Sequence, residues 1–158
     1  VSINDSKKEV KILIAEDDEG HRLLIKRNFV KAGICNNLQF FEDGQSILDF
    51  IKDTILDSCN SDNESYLLIL DINMPKVSGI EVLEFVKMHE YLKKIPVIML
   101  TTTDDPREVD SCYELGCNSY ITKPVVYEDF IKKIRNLGLF ITVTEIPKIT
   151  RDGKDDYE

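Results

Sequence analysis

Tyr66-Leu67-Leu68-Ile69-Leu70-Asp71-Ile72-Asn73-Met74-Pro75-Lys76 is the stretch from which the rest of the chain can be read. The four consecutive apolar residues Leu67 to Leu70 suit a short strand covered on both faces, because a parallel strand with helices above and below meets water on neither side. The run ends at a carboxylate, Asp71. Pro75 has no N–H for a ladder and biases Met74 away from helix, so the chain leaves the sheet within a few residues of Asp71. Asp71 is therefore expected at the carboxyl end of a central strand. Open parallel sheets bind ligands outside those ends, near the point where strand order reverses. An Asp there also serves as a helix cap or turn former, so this segment alone leaves both readings open.

At 158 residues the chain is expected to form one domain with a sizeable core, and 42% hydrophobic with 31% charged residues is a globular composition. The net charge of -9, with 20 Lys and Arg against 29 Asp and Glu, argues against a nucleic-acid-binding face, which needs clustered cations. No apolar run approaches the ~20 residues of a membrane span, and the first residues lack the apolar core of a signal peptide, so a cytoplasmic protein is expected. Cys35, Cys59, Cys112 and Cys117 form no Cys-x-x-Cys pair and read as packing thiols. His21 and His89, each alone on a helical pattern, read as solvated or core side chains.

Outward from the central strand, the same pattern recurs. Val10 to Ala15 is a second apolar run, ended by Glu16, Asp17, Asp18 and Glu19, and Leu24, Ile25, Phe29 and Ala32 come next at helical spacing up to Gly33. Leu38 to Phe41 is strand-like. Asp43-Gly44 then turns into a helix bearing Ile47, Leu48, Ile51 and Ile55, and 57–65 reads as a mobile polar loop. After Asp71, Gly79 opens a helix with Ile80, Leu83 and Val86. Pro96 to Leu100 is a fourth strand running into Thr101, Thr102 and Thr103, and Asp104-Asp105-Pro106 starts a helix closed by Gly116. Ser119 to Thr122, then Lys123-Pro124, gives the fifth strand, and a last helix carries Phe130, Ile131, Ile134 and Leu137. Five strands alternating with five helices over about 130 residues predict a single doubly wound α/β domain with a parallel sheet and helices on both faces. The expected divisions are an N-terminal tail 1–8, the domain 9–138, an apolar arm 139–147 and a polar, disordered tail 148–158. The arm reads either as a strap on the last helix or as a docking segment for a second subunit.

In such a sheet Glu16, Asp17, Asp71, Thr101 and Lys123 share the crevice at the strand ends. Three carboxylates suit a hard divalent ion such as Mg2+, and a carboxylate can attack a phosphoryl group to give an aspartyl phosphate. That transfer needs mainly positioning and charge neutralisation, which a metal ion and one lysine supply.

Four motifs extend this reading: Ile-Ala-Glu-Asp-Asp ending at Asp18, Leu-Asp-Ile-Asn-Met-Pro ending at Pro75 with Gly79 beyond it, Met-Leu-Thr-Thr ending at Thr102, and Tyr-Ile-Thr-Lys-Pro ending at Pro124. With these in order, residues 9 to 138 resemble the receiver domain of two-component response regulators. The resemblance implies a flavodoxin-like sheet of order 2-1-3-4-5 and a signalling phosphoacceptor with at most slow self-catalysed transfer and autodephosphorylation. Asp71 would accept a phosphoryl group from a sensor histidine kinase. Asp17 would bind Mg2+ directly, Glu16 through water and Asn73 through its main-chain carbonyl, with Asp71 completing the set. Lys123 would pair with the phosphoryl oxygens and its bond to Pro124 would be cis. Thr101 and Tyr120 would move together as the switch, and Thr102, bulkier than the Ala or Gly common at that place, would narrow access.

The chain is most similar to single-domain regulators paired with bacterial or cyanobacterial phytochrome kinases, acting on a downstream protein or a phosphotransfer partner. Where that family's arm carries Phe-Trp, this chain has Leu139-Phe140, which weighs against pairing through the arm. A homodimer, if formed, would use helix four, strand five and helix five. Two rival readings remain: a phosphate-independent interaction module, and a phosphohydrolase of the haloacid dehalogenase type. The second needs an acid two residues beyond the nucleophile, where this chain has Asn73.

Overall fold

The computed structural model describes residues 10–34, 36–57 and 63–151. Its strands are β1 (Lys11–Ala15), β2 (Asn37–Phe41), β3 (Tyr66–Leu70), β4 (Val97–Thr101) and β5 (Ser119–Thr122). The helices are α1 (Glu19–Lys31), α2 (Gly44–Phe50), α3 (Gly79–Met88), α4 (Pro106–Leu115) and α5 (Tyr127–Val143), and α2 runs on into a π-helical turn over Ile51–Leu56. The strands pair in parallel in the order β2-β1-β3-β4-β5, the expected doubly wound, flavodoxin-like arrangement.

Alternation along the strands divides the core in two. Leu13, Leu68, Leu70, Val97 and Met99 face Ile47 and Ile51 below α2, Val82, Leu83 and Val86 of α3, and Cys112 of α4. Ile12, Ile14, Leu67, Ile69, Ile98 and Leu100 face Ile25 and Phe29 of α1 and Phe130, Ile134, Leu137 and Ile141 of α5. Every residue of β3 and β4 is buried, which is why their sequences read as unbroken apolar runs. Edge strands β2 and β5 are largely half-buried.

Gly138, the expected end of the last helix, lies inside α5 instead. A Cβ there would stand 2.9 Å from the Ala32 side chain and 3.4 Å from Phe29, so this glycine serves close packing of α5 on α1. Helix propensity alone suggests a break at Gly, and here tertiary contact overrides it. The helix therefore continues through Leu139 and Phe140 to Val143, and the first part of the expected arm is helical.

Beyond α5 the chain crosses the base of the sheet. Ile146 packs with the α1/α5 layer and Ile149 is fully buried in the opposite layer. Lys148 bridges Ser65 in antiparallel fashion, the Ile149 N–H donates to the Glu64 carbonyl at 3.0 Å, and the Asn63 N–H donates to the Ile149 carbonyl at 2.7 Å. The Arg151 guanidinium donates to the Ile55 and Leu56 carbonyls at the end of the π-helical turn, 3.2 and 2.7 Å away, and lies 4.7 Å from the Tyr91 ring centroid. Residues 148–151, read from their polarity as tail, are thus fixed by one buried isoleucine and these partners; 152–158 lie outside the described residues. The polar loop is likewise anchored at 63–65, while 58–62 lie outside the described residues. Cys112 and Cys117 are free and buried, and Cys35 and Cys59 are not among the described residues. No helix among the described residues is long and apolar enough to cross a membrane.

Candidate functional site

Asp71 comes directly after β3, its N–H held by the Ala15 carbonyl at 3.0 Å. The loop that carries it is tight. The Asn73 N–H donates to Asp71 Oδ1 at 3.3 Å, the Gly79 N–H donates to the Ile72 carbonyl at 2.9 Å, and Lys76 has φ 70°. Gly79 is required by proximity, since a Cβ on it would sit 2.0 Å from the Asp71 carbonyl oxygen. These contacts fix a buried carboxylate, 6% exposed, at the mouth of the sheet.

Glu16 and Asp17 arrive from the end of β1. The Glu16 N–H bonds the Phe41 carbonyl, its carboxylate accepts from the Asp18 N–H at 3.1 Å, and the side chain is buried, whereas Asp17 is exposed. Asp18, expected as loop or cap, is the N-cap of α1 and accepts from the His21 N–H at 2.9 Å. Glu16, Asp17 and Asp71 can each offer an oxygen with all three within 4.8 Å of one another, a group suited to a metal ion. An acidic trio partly open to solvent fits Mg2+, which keeps several waters and needs only one or two carboxylates.

Lys123 comes from the end of β5, where its N–H bonds the Thr101 carbonyl at 2.7 Å. Its buried ammonium is ion-paired with Glu16 Oε2 and with Asp71 Oδ2, the latter at 2.9 Å. Burial pushes the Glu16 carboxyl up to about 7, against the pull of the Lys123 ammonium, and the neighbouring Asp71 charge adds to the rise. The Lys123–Pro124 peptide, for which the resemblance implies cis, is trans, the isomer that X–Pro bonds favour by about 0.5–1 kcal/mol.

The Thr101 side chain is fully buried, and its hydroxyl has no hydrogen-bond partner among the described residues. Orphaned buried hydroxyls are costly and rare, and they often sit where a ligand completes them. Thr102 is exposed. The Tyr120 hydroxyl donates to the Thr103 carbonyl at 2.8 Å, which ties β5 to the loop beyond β4. Burial of the Tyr120 phenol, with the Glu108 carboxylate nearby, pushes its pKa up to about 12.

Glu16, Asp17, Asp71 and Lys123 therefore converge on one crevice, and Thr101 is joined to it through its carbonyl, which accepts from the Lys123 N–H. One neighbour was not anticipated: His21 Nδ1 lies 3.1 Å from Lys123 Nζ and 3.6 Å from Glu16 Oε1. Burial first, then the Lys123 charge, lowers its pKa. Helix side chains lean toward the N-terminus, so the third residue after the Asp18 cap was placed to reach back over the acidic loop. The apolar spacing of α1 marks only its buried face and could not show this.

The sequence profile of the response regulator receiver domain matches residues 12–135. The chain belongs to this family. This receiver domain is 32% identical over 126 residues to the probable methanogenesis regulatory protein FilR2 of Methanothrix harundinacea, spanning 80% of this chain and 79% of that protein. It is 31% identical over 129 residues to response regulator Rcp1 of Synechocystis, 82% of this chain and 86% of Rcp1. Among solved structures, a response regulator receiver domain from Rhodospirillum rubrum has 42% identity and a TM-score of 0.84, covering 89% of this chain and 99% of that one. Rcp1, solved in its Mn2+-bound form, has a TM-score of 0.78 at 30% identity over 87% and 98% of the two chains. Receiver domains of this kind are two-component signalling proteins rather than enzymes in the ordinary sense, and they bind Mg2+ at an acidic pocket.

Proposed function

We propose that this receiver takes a phosphoryl group from the phosphohistidine of a sensor kinase onto Asp71, in an Mg2+-dependent step that changes the Thr101–Tyr120 region. One observation carries the reading: the carboxylate at the end of the central strand is grouped with Glu16 and Asp17 and paired with the ammonium of Lys123. In the transfer, an Asp71 carboxylate oxygen forms the new O–P bond, the N–P bond of the phosphohistidine breaks, and the leaving imidazole keeps its electron pair and takes a proton. Glu16, Asp17, Asp71 and the Asn73 main-chain carbonyl would hold Mg2+, which would neutralise phosphoryl charge when bound. Lys123 offsets charge from the opposite side, leaving Asp71 for a phosphoryl oxygen. The incoming group brings a charge of about -2 and three acceptor oxygens, and the Thr101 hydroxyl is a donor with no bond to break among the described residues. Its rotation would be felt by Tyr120, bonded to the same β4–α4 loop.

The kinase is best sought among phytochromes. Structural relatives include the phosphorylated cyanobacterial phytochrome response regulator RcpA, at 26% identity and TM-score 0.77, and the bacteriophytochrome response regulator AtBRR, at 34% and 0.62. Output would be a downstream protein or phosphotransfer partner met in the cytoplasm. A homodimer would use α4, β5 and α5, where Tyr113, Phe140 and Val143 leave apolar surface exposed.

Acetyl phosphate with Mg2+, followed by intact-mass measurement, tests the core of this reading. One added phosphoryl group on the wild type, lost in Asp71→Asn and after chelation of the metal, is the expected result. An unlabelled wild type that still binds Mg2+ would favour a phosphate-independent binding module.

A further inference from the structure

We propose that His21 is a positioning residue for Lys123: its Nδ1 accepts the third ammonium proton and serves as the pivot on which Nζ turns when Asp71 is phosphorylated. The inference rests on the phosphoacceptor reading of Asp71. An ammonium has three donors and no acceptor, and three groups surround Lys123 Nζ: Glu16 Oε2, Asp71 Oδ2 and His21 Nδ1. Facing a donor-only group, Nδ1 must accept, which leaves the ring proton on Nε2. The residue is held at backbone and ring: the His21 backbone N–H bonds the Asp18 carboxylate, and the imidazole meets the Phe130 ring edge-on, 5.2 Å between centroids at 67°. Phe130 is buried in α5, so the acceptor is carried by α1 and steadied by the helix that comes after Lys123.

The geometry matters because the two carboxylate contacts of Lys123 do not persist equally. On phosphorylation the Asp71 carboxylate becomes an acyl phosphate and its charge moves to the phosphoryl oxygens. Nζ must then exchange Asp71 Oδ2 for one of those oxygens. A lysine held by Glu16 alone has a flexible four-carbon stem free to swing; a second contact from the side limits the motion to a small rotation. His21 is that contact, and unlike Glu16 it adds no negative charge to a site receiving phosphate.

Three variants and two readouts test this. His21→Ala removes the acceptor, and His21→Asn returns an oxygen to the place of Nδ1. In the first readout, 15N-lysine-labelled protein without phosphate is probed by NMR for the Lys123 ammonium protons, identified by their loss in Lys123→Arg. The expected result is a slowly exchanging signal in wild type and His21→Asn, lost in His21→Ala. In the second, labelling by acetyl phosphate with Mg2+ is expected to slow about tenfold in His21→Ala, the loss of one modest hydrogen bond in the transition state, and to recover to within about twofold in His21→Asn. Wild-type labelling by His21→Ala, or equal slowing in Ala and Asn variants with unchanged melting temperature, would overturn the proposal. So would a drop in calorimetric Mg2+ affinity that accounts for the slowing, since His21 would then act on the metal. An unlabelled wild type fails the phosphoacceptor reading and with it the pivot, and is told apart because the ammonium signal is read without phosphate.

Discussion

Thr101 joins a structural cost to its proposed part in the switch in a single oxygen atom. Its hydroxyl is buried without a partner among the described residues, and replacing such a group by an apolar one of the same shape is close to neutral or stabilising. Thr101→Val should therefore melt at or above the wild-type temperature, while losing the phosphorylation-induced shift in Tyr120 seen by NMR or tyrosine fluorescence. A lowered melting temperature would mean that the hydroxyl has a structural partner after all. Asp43 shows the ordinary case. As N-cap of α2 it accepts from the Ser46 N–H at 2.7 Å, and that bond, then Lys76, holds its carboxyl below the usual range. A lowered folded-state pKa gives stability that is full above the unfolded value of about 3.9 and is lost as pH falls through the folded value. Asp43→Ala should cost about 1 kcal/mol at pH 7, and the difference from wild type in urea unfolding should shrink as pH falls through the lowered folded-state value.

At the scale of elements, the loop joining β3 to α3 is set by two close approaches. A Cβ on Gly79 would meet the Asp71 carbonyl at 2.0 Å, and one on Gly44 would meet the Val77 carbonyl at 1.8 Å. Both obstacles are backbone, which cannot swing aside as a side chain can. Gly79→Ala should lose about 3 kcal/mol in denaturant unfolding and slow labelling of Asp71, whereas Gly33→Ala, with open space around it but φ 88°, should lose about 1 kcal/mol and label normally. The strands were legible because β3 and β4 are buried on both faces, and the acids and Lys123 because each lies at the end of an apolar run. The end of α5 was not, because Gly138 has one residue's propensity in the sequence and another's role against Ala32. His21 escaped for a related reason: whether a polar helix residue faces water or the crevice depends on how α1 docks, which spacing does not encode. Ile149 escaped because one buried side chain in a polar segment makes no periodic pattern.

For the molecule as a whole, the segment after α5 closes the base of the sheet at the end opposite the crevice. Arg151 caps carbonyls left by the π-helical turn, a charged donor to acceptors that otherwise rely on water. Arg151→Ala should lower stability by about 1 kcal/mol and the melting temperature by about 2–4 °C, with the labelling rate of Asp71 unchanged. Slower labelling would reveal coupling between the two ends of the sheet.

Lys123, finally, directly follows the last strand, 52 residues after Asp71 and 107 after Glu16 in the chain. During folding, β1 and β3 can pair before β5 docks, and in that interval Glu16, Asp17 and Asp71 stand together without their counter-ion. Like charges so close raise the energy of a half-formed sheet, so docking of β5 is also a neutralisation event. Refolding should be faster when Mg2+ is present from the start, and the acceleration should be larger in Lys123→Ala, where the ion is the remaining source of positive charge in that cluster. On the proposed function, the ammonium that would offset phosphoryl charge in the finished protein would thus first offset carboxylate charge in the half-formed sheet as β5 docks.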